Sequence, residues 1–324
     1  MFKNEDIDAH QISLPLVNKN EDKTVFPLVL NVISRFWGEE PPKTEIETRS
    51  TSYKNYKGSI FIEGLEIIEK KLNLSSIIYR GSLDDLKKRI DQGIPCIVIL
   101  PGIAETIQFA TIVCGYDENE KRIITYVPEP DSFGAIPIEK FVKEWEQDDF
   151  LTMVVCPADV MNMLKNDSFP FSHSNRVALE AERLRIMGKD TEALSLIQKT
   201  IDRYDDASEN PQLLLMLASI LNENVDAKCI EYYKKIIEIN PKFYLAYRGL
   251  GNYYLKKRDY SASNMYYNEA IKISPTRYGP IYKNLGLTYM NVGDNVSAKE
   301  SFKKYLEQVP EARDRESILE FIHS

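Results

Sequence analysis

Four cysteines and three histidines are the residues of this 324-residue chain whose types could support nucleophilic or metal chemistry. Thiol catalysis needs a thiolate, a base within hydrogen-bond reach and a group that orients the base. A structural zinc site needs paired cysteines or histidines a few residues apart. Here Cys96, Cys114, Cys156 and Cys229 are widely scattered, and His10, His173 and His323 stand alone and far apart. Three of the thiols lie inside apolar runs, Pro95 to Leu100, Ala110 to Cys114 and Met153 to Cys156, and no Lys, Arg or His neighbours Cys96 or Cys114 in sequence. They read as buried free thiols in a reducing compartment, so a cytoplasmic location is expected, with no metal and no cofactor.

The elements that would position such residues fall into two textures. Apolar residues recur at helical spacing from Pro27 to Gly38, with the glycine as a stop, and again from Phe61 to Leu72. Ser82 caps a third helical stretch over Asp84 to Gln92. After Gly93 the runs Ile94 to Leu100, Gln108 to Cys114, Arg122 to Val127 and Phe150 to Val155 are short and β-branched, with Asp117 to Glu120 as a hairpin connection. Helices first and an antiparallel sheet afterwards describe an α+β domain over 1–157. Residues 158–174 lack periodicity and read as a linker, and 175–324 read as helical throughout.

Charge separates the same halves. Lys plus Arg number 18 against 26 Asp plus Glu through residue 157, and 23 against 23 beyond it. An acidic first half argues against nucleic-acid binding, which needs a basic stripe to displace condensed counterions. No apolar run approaches the roughly 18 residues of a membrane span, and residues 1–20 are polar and acidic, so neither export nor insertion is expected.

The strings Leu14-Pro15-Leu16-Val17-Asn18 and Val25-Phe26-Pro27 through Phe36-Trp37-Gly38, with Gln108 through Cys114-Gly115-Tyr116-Asp117 and Tyr126-Val127-Pro128-Glu129-Pro130, resemble papain-like peptidases that trim leaders after a double glycine. The resemblance spans roughly residues 12–157. It implies a papain-like fold, yet places Val25 at the nucleophile, Gln108 at the base, Glu129 at the orienting acid and Asn18 near the oxyanion position. Valine cannot attack a carbonyl and glutamine cannot shuttle a proton near neutral pH. The resemblance therefore implies a pseudo-enzyme whose groove could still hold an extended peptide, as exporters of the haemolysin type bind cargo without cutting it, and a setting in peptide export or immunity.

Near the other end, Tyr247-x-x-Leu250-Gly251-x-x-Tyr254 and Tyr282-x-x-Leu285-Gly286-x-x-Tyr289 repeat one another, followed by Ser263, Tyr267, Pro275 and by Ala298, Phe302, Pro310. This pattern resembles the tetratricopeptide repeat. Weaker echoes at Cys229, Tyr233 and Pro241, and through Ala181 to Ile197, make about four units, with 311–324 as a closing helix. The resemblance implies an all-α superhelix whose first helices line a concave face bearing Arg248, Asn252, Leu255, Lys283, Asn284 and Leu287. Guanidinium and amide groups suit a carboxylate. Tyr244, Tyr253, Tyr260 and Tyr278 are expected to offer ring area to a partner, while Tyr254, Tyr267 and Tyr289 are expected to pack.

The expectation is thus a non-catalytic adaptor that captures an extended or C-terminal segment of a protein partner. Two readings compete with it: a cysteine peptidase or acyltransferase with an unrecognised active site, and a self-associating scaffold.

Overall fold

The computed structural model describes residues 9–18, 26–49, 60–102, 108–128, 131, 133–277 and 280–324. In chain order the elements are β1 (Ala9–Gln11), α1 (Leu28–Phe36), α2 (Lys43–Arg49), α3 (Phe61–Lys71), β2 (Leu74–Arg80), α4 (Leu83–Asp91), β3 (Cys96–Pro101), β4 (Gln108–Asp117), β5 (Arg122–Tyr126), β6 (Phe133–Pro137), α5 (Ile138–Trp145), β7 (Leu151–Pro157) and α6 (Ala158–Met163). Helices then follow alone: α7 (Ser172–Ile186), α8 (Asp190–Arg203), α9 (Pro211–Glu223), α10 (Cys229–Ile239), α11 (Tyr244–Lys256), α12 (Tyr260–Ile273), α13 (Pro280–Asn291), α14 (Asn295–Gln308) and α15 (Arg315–His323). No helix among the described residues is long and apolar enough to cross a membrane.

The chain forms two compact units. The first comprises 1–99, 110–145 and 150–210; the second comprises 100–109, 146–149 and 211–324. The strands order as β2-β7-β3-β4-β5-β6, with β1 paired to β4, and β2, β3, β5 and β6 are antiparallel to their neighbours where the register is resolved. The sequence places helices before the sheet; β2 instead precedes α4, and α5 lies between β6 and β7. The residues of β2, Leu-Ser-Ser-Ile-Ile-Tyr-Arg, do not alternate cleanly, yet the strand pairs along its whole length with β7, so tertiary pairing outweighs a weak local signal.

In the first unit, α1 buries Val29, Leu30, Val32 and Ile33 with Ile62, Leu65 and Ile68 of α3, beside Met153 and Val155 of β7. Gly38 takes a left-handed φ of +82° as the expected stop. Trp37 donates its indole N–H to the Val155 carbonyl at 2.8 Å. Ser82 caps α4 as expected, its hydroxyl accepting from the Asp85 amide at 3.1 Å. The stretch read as a linker contains α6 and a pinned loop: Asp167 receives Arg89 at 2.5 Å and Lys88 at 2.8 Å. Helices α7 and α8 belong to this unit too, Arg176 holding Glu69 of α3 at 2.7 Å.

The helical pairs share one turn geometry. Between first and second helix, Gly188, Val225, Arg258 and Gly293 each take a left-handed φ, at 73°, 57°, 59° and 83°. An aspartate follows the last three, and Asp259 and Asp294 cap α12 and α14 through the amides of Ala262 and Ser297, both at 3.0 Å. Only two of the four turns carry glycine, so the repeat is visible in backbone conformation where residue type conceals it.

Within the second unit neighbouring helices, both inside a pair and between pairs, meet through glycine. A Cβ on Gly251 would lie 2.4 Å from the Tyr267 ring, one on Gly286 2.5 Å from Phe302, and one on Gly249 2.3 Å from Tyr233. Gly286→Ala should therefore lose about 1–3 kcal/mol through overpacking, despite a helix-propensity gain of about 1 kcal/mol. Urea unfolding followed by circular dichroism measures this, and an unchanged midpoint would mean that the Phe302 ring can move aside.

Candidate functional site

The closeness enforced by Gly251 lays the Tyr267 ring, fully buried, against α11 and carries its hydroxyl through to the neighbouring first helix. That hydroxyl donates to Asn252 Oδ1 at 2.7 Å and accepts from Asn284 Nδ2 at 3.0 Å. Asn284 Nδ2 also reaches Asn252 Oδ1 at 3.4 Å, linking α11 to α13. Burial raises the Tyr267 phenol well above its ordinary range, against the opposing pull of the Asn284 and Ser263 hydrogen bonds and the Arg248 charge, so it stays a protonated donor.

Arg248 lies one turn before Asn252 on α11. Among the described residues, nothing hydrogen-bonds or ion-pairs with its guanidinium, and nothing accepts from Asn252 Nδ2. Two donors thus stand on one helix face, the amide fixed in orientation by Tyr267. Lys283 differs from the sequence expectation: its ammonium ion-pairs with Asp314 at 2.8 Å and lies 5.8 Å from the Tyr305 ring centre, tying down the segment before α15. Burial would raise the Asp314 carboxyl, but the Lys283 hydrogen bond and charge prevail and hold it below its usual range. Leu255 and Leu287 are half-buried, Leu287 against the core of α11 to α15.

Two tyrosines expected to face a partner do not. Tyr244 and Tyr253 are 1% and 4% exposed, Tyr244 packing in the core of α11 to α15 and Tyr253 in that of α9 to α11. Burial pushes Tyr244 up to about 12. Their positions look unconstrained only when a repeat is considered without its neighbours. Tyr260 is half-buried, and Tyr278 lies outside the described residues. Tyr267 packs fully buried as expected, and Tyr254 and Tyr289, half-buried, pack against the cores of α9 to α11 and of α11 to α15.

Of the peptidase-like positions, Val25 and Glu129 lie outside the described residues. Asn18 is exposed in the loop before α1, and the preceding Val17 donates its amide to the Tyr126 hydroxyl at 2.9 Å. Gln108 opens β4 and donates Nε2 to Asp148 Oδ1 at 2.6 Å, a fixed amide rather than a proton shuttle. His10 contacts Asp91 at 2.7 Å and stacks on Tyr116. All four cysteines are buried and free. Burial pushes Cys114 and Cys156 up to about 12 and Cys229 up to about 11, and moves Cys96 further in the same direction. Among the described residues, no group of three or more His, Cys, Asp or Glu is placed to hold a metal ion.

The sequence announces nothing of a second polar cluster in the repeat unit. Asp148 and Arg277 are fully buried, the guanidinium donating to Oδ1 at 2.9 Å and lying 4.6 Å from the Tyr244 ring centre. Gln212 donates to the Asp148 carbonyl at 2.7 Å, and Asn240 to the Glu146 carbonyl at 2.8 Å. Asp148 sits in an acidic run and Arg277 in an inter-repeat turn, positions where charge ordinarily means solvent.

Residues 246–277 match the tetratricopeptide repeat. The chain is similar to the general transcriptional corepressor ssn6 of Schizosaccharomyces pombe, 26% identical over 147 residues, which are 44% of this chain and 13% of that protein's length. Among solved structures it is similar to MamA (23% identity, TM-score 0.37, 46% of this chain and 84% of the other) and to pilF of Pseudomonas aeruginosa (18%, TM-score 0.39, 46% and 65%). At those scores the structural likenesses carry no argument about function. The repeat match together with the all-helical second half places tetratricopeptide-like helices in the C-terminal part, an architecture that binds other proteins.

At pH 8 a thiol titrating near 11 is thiolate about once in a thousand molecules. The native chain should therefore resist a disulfide-exchange reagent at pH 8 and release four equivalents on unfolding. Rapid labelling of one thiol in the native chain would revive a cysteine-based enzyme.

Proposed function

We propose that the chain is a non-catalytic adaptor of the cytoplasm that captures a carboxylate-bearing extended or C-terminal protein segment on its helical repeats. The observation that carries this reading is Arg248: a half-buried guanidinium without a hydrogen bond or ion pair among the described residues, one turn from the fixed amide donor of Asn252. A half-desolvated cation is costly to leave unpaired, and a fork of guanidinium and amide donors matches a carboxylate. Asn284 holds Asn252 in place, Leu255 and Leu287 supply apolar flanks, and Lys283 contributes through the closing segment it anchors.

We further propose that the chain joins a peptidase-like module over 1–157, through 158–174, to the repeat module over 175–324. The support for the first module is the resemblance of its strings, with Val25, Gln108, Glu129 and Asn18 at degenerate catalytic positions. On that reading it is a pseudo-enzyme that retains peptide-holding surfaces, in a setting of peptide export or immunity.

The test is direct binding of ten-residue peptides with free or amidated C-termini to the full chain and to Arg248→Ala. Free-carboxylate peptides should bind, and Arg248→Ala should weaken them roughly tenfold, the equivalent of about 1.4 kcal/mol. Equal binding of amidated peptides, with no effect of the substitution, would remove the carboxylate reading. Light scattering over a concentration series separates the self-associating scaffold, for which the chain would not remain a monomer.

A further inference from the structure

The four residues Glu146 to Asp149 are held in the repeat unit as a bound peptide would be. Glu146–Asp148 form a single 3₁₀ turn, which Asp149 follows. Their main chain is read by side chains: Asn240 Nδ2 takes the Glu146 carbonyl and reaches Asp149 Oδ1 at 3.3 Å, and Gln212 Nε2 takes the Asp148 carbonyl. Their carboxylate is read separately, Asp148 Oδ1 accepting from Arg277 Nη2 at 2.9 Å and from Gln108 Nε2 at 2.6 Å. Tyr244 lies under the guanidinium and orients it. Gln212 and Tyr244 come from the starts of α9 and α11, Asn240 from the end of α10 and Arg277 from the turn after α12, and all of these residues belong to the second unit. Side-chain amides on carbonyls and an arginine on a carboxylate are the means by which proteins recognise an acidic segment.

Two features mark the occupant as exchangeable. Asp148 Oδ2 is buried and receives no hydrogen bond among the described residues, so its carboxylate is only half read. Asp149 and the following Phe150 both take a left-handed φ of 55°, which side-chain-bearing residues adopt only under constraint. We propose that Gln108, Gln212, Asn240, Tyr244 and Arg277 form a recognition seat for an acidic turn, distinct from the Arg248 face, which Asp148 of the chain itself keeps closed, and that a partner bearing an aspartate in such a turn enters it by displacing Asp148.

A fluorescent synthetic peptide of residues 144–151, titrated into the full chain, tests the seat. The Asp148→Ala chain should bind it at least tenfold more tightly than the unaltered chain. Arg277→Met added to Asp148→Ala should abolish that gain, and so should asparagine in place of the peptide's first aspartate. Asp148→Asn, which keeps the turn's shape while removing its charge, gives the same comparison if the alanine variant does not fold, and circular dichroism establishes which variants are folded. No gain in a folded variant, or equal binding of the asparagine peptide, overturns the seat. Arg248→Ala in the Asp148→Ala chain should leave the peptide's affinity unchanged; loss of binding there would assign the peptide to the Arg248 face and overturn the proposal.

Discussion

The spacing between paired helices in the repeat unit sets everything that its surface can do. Gly251 and Gly286 allow an aromatic ring of the second helix to lie directly on the backbone of the first. With Tyr267 in that position the ring does more than pack: its hydroxyl emerges between α11 and α13 and fixes the amides of Asn252 and Asn284. With Phe302 in the equivalent place, the contact is purely apolar. One oxygen atom thus distinguishes a repeat that organises polar groups from one that only stacks. Arg248 then stands beside a donor whose direction is already set, which lowers the conformational entropy lost when a ligand is held.

The buried Asp148–Arg277 pair obeys a different economy. Desolvating two charges is not repaid by their mutual attraction alone, and replacement by well-packed apolar residues is commonly neutral or stabilising. Such a pair gives geometric specificity: it admits one turn, in one orientation, with one carboxylate. Removing only one member leaves a buried charge uncompensated, at roughly 3–5 kcal/mol. The hydrogen bonds of Gln212 and Asn240 to main-chain carbonyls reinforce that specificity, because they read the path of the turn rather than its side chains.

The thiols and the polar surface also lead in opposite directions. All four cysteines sit where burial suppresses the thiolate, and Gln108 is engaged as a donor to a carboxylate. The donors of the proposed Arg248 face, by contrast, stand on a repeat helix. Among the described residues no thiol is placed for nucleophilic attack, while the two proposed carboxylate-binding sets are built of amide and guanidinium donors.

Much of this was legible in the residues. The paired Leu-Gly strings identify the repeats because only glycine tolerates an aromatic ring at that distance, and α1, α3, α4 and the β4–β5 hairpin follow from periodicity, capping and turn chemistry. Strand β2 escaped because its pattern is weak and its partner lies more than 70 residues away. The left-handed turns at Val225 and Arg258 carry no glycine to reveal them. Side-chain pairings lay beyond reach altogether: that Lys283 is neutralised by Asp314 while Arg248 has no ion-pair partner among the described residues, that Tyr244 and Tyr253 are core, and that Asp148 meets Arg277. By itself the sequence determined the strongly periodic helices α1, α3 and α4, the repetition of the C-terminal helices, and that the thiols are buried, because these depend on local spacing and residue type. Only the tertiary structure decided which charges are compensated and which remain available, because pairing depends on groups that are distant in sequence and close only after folding.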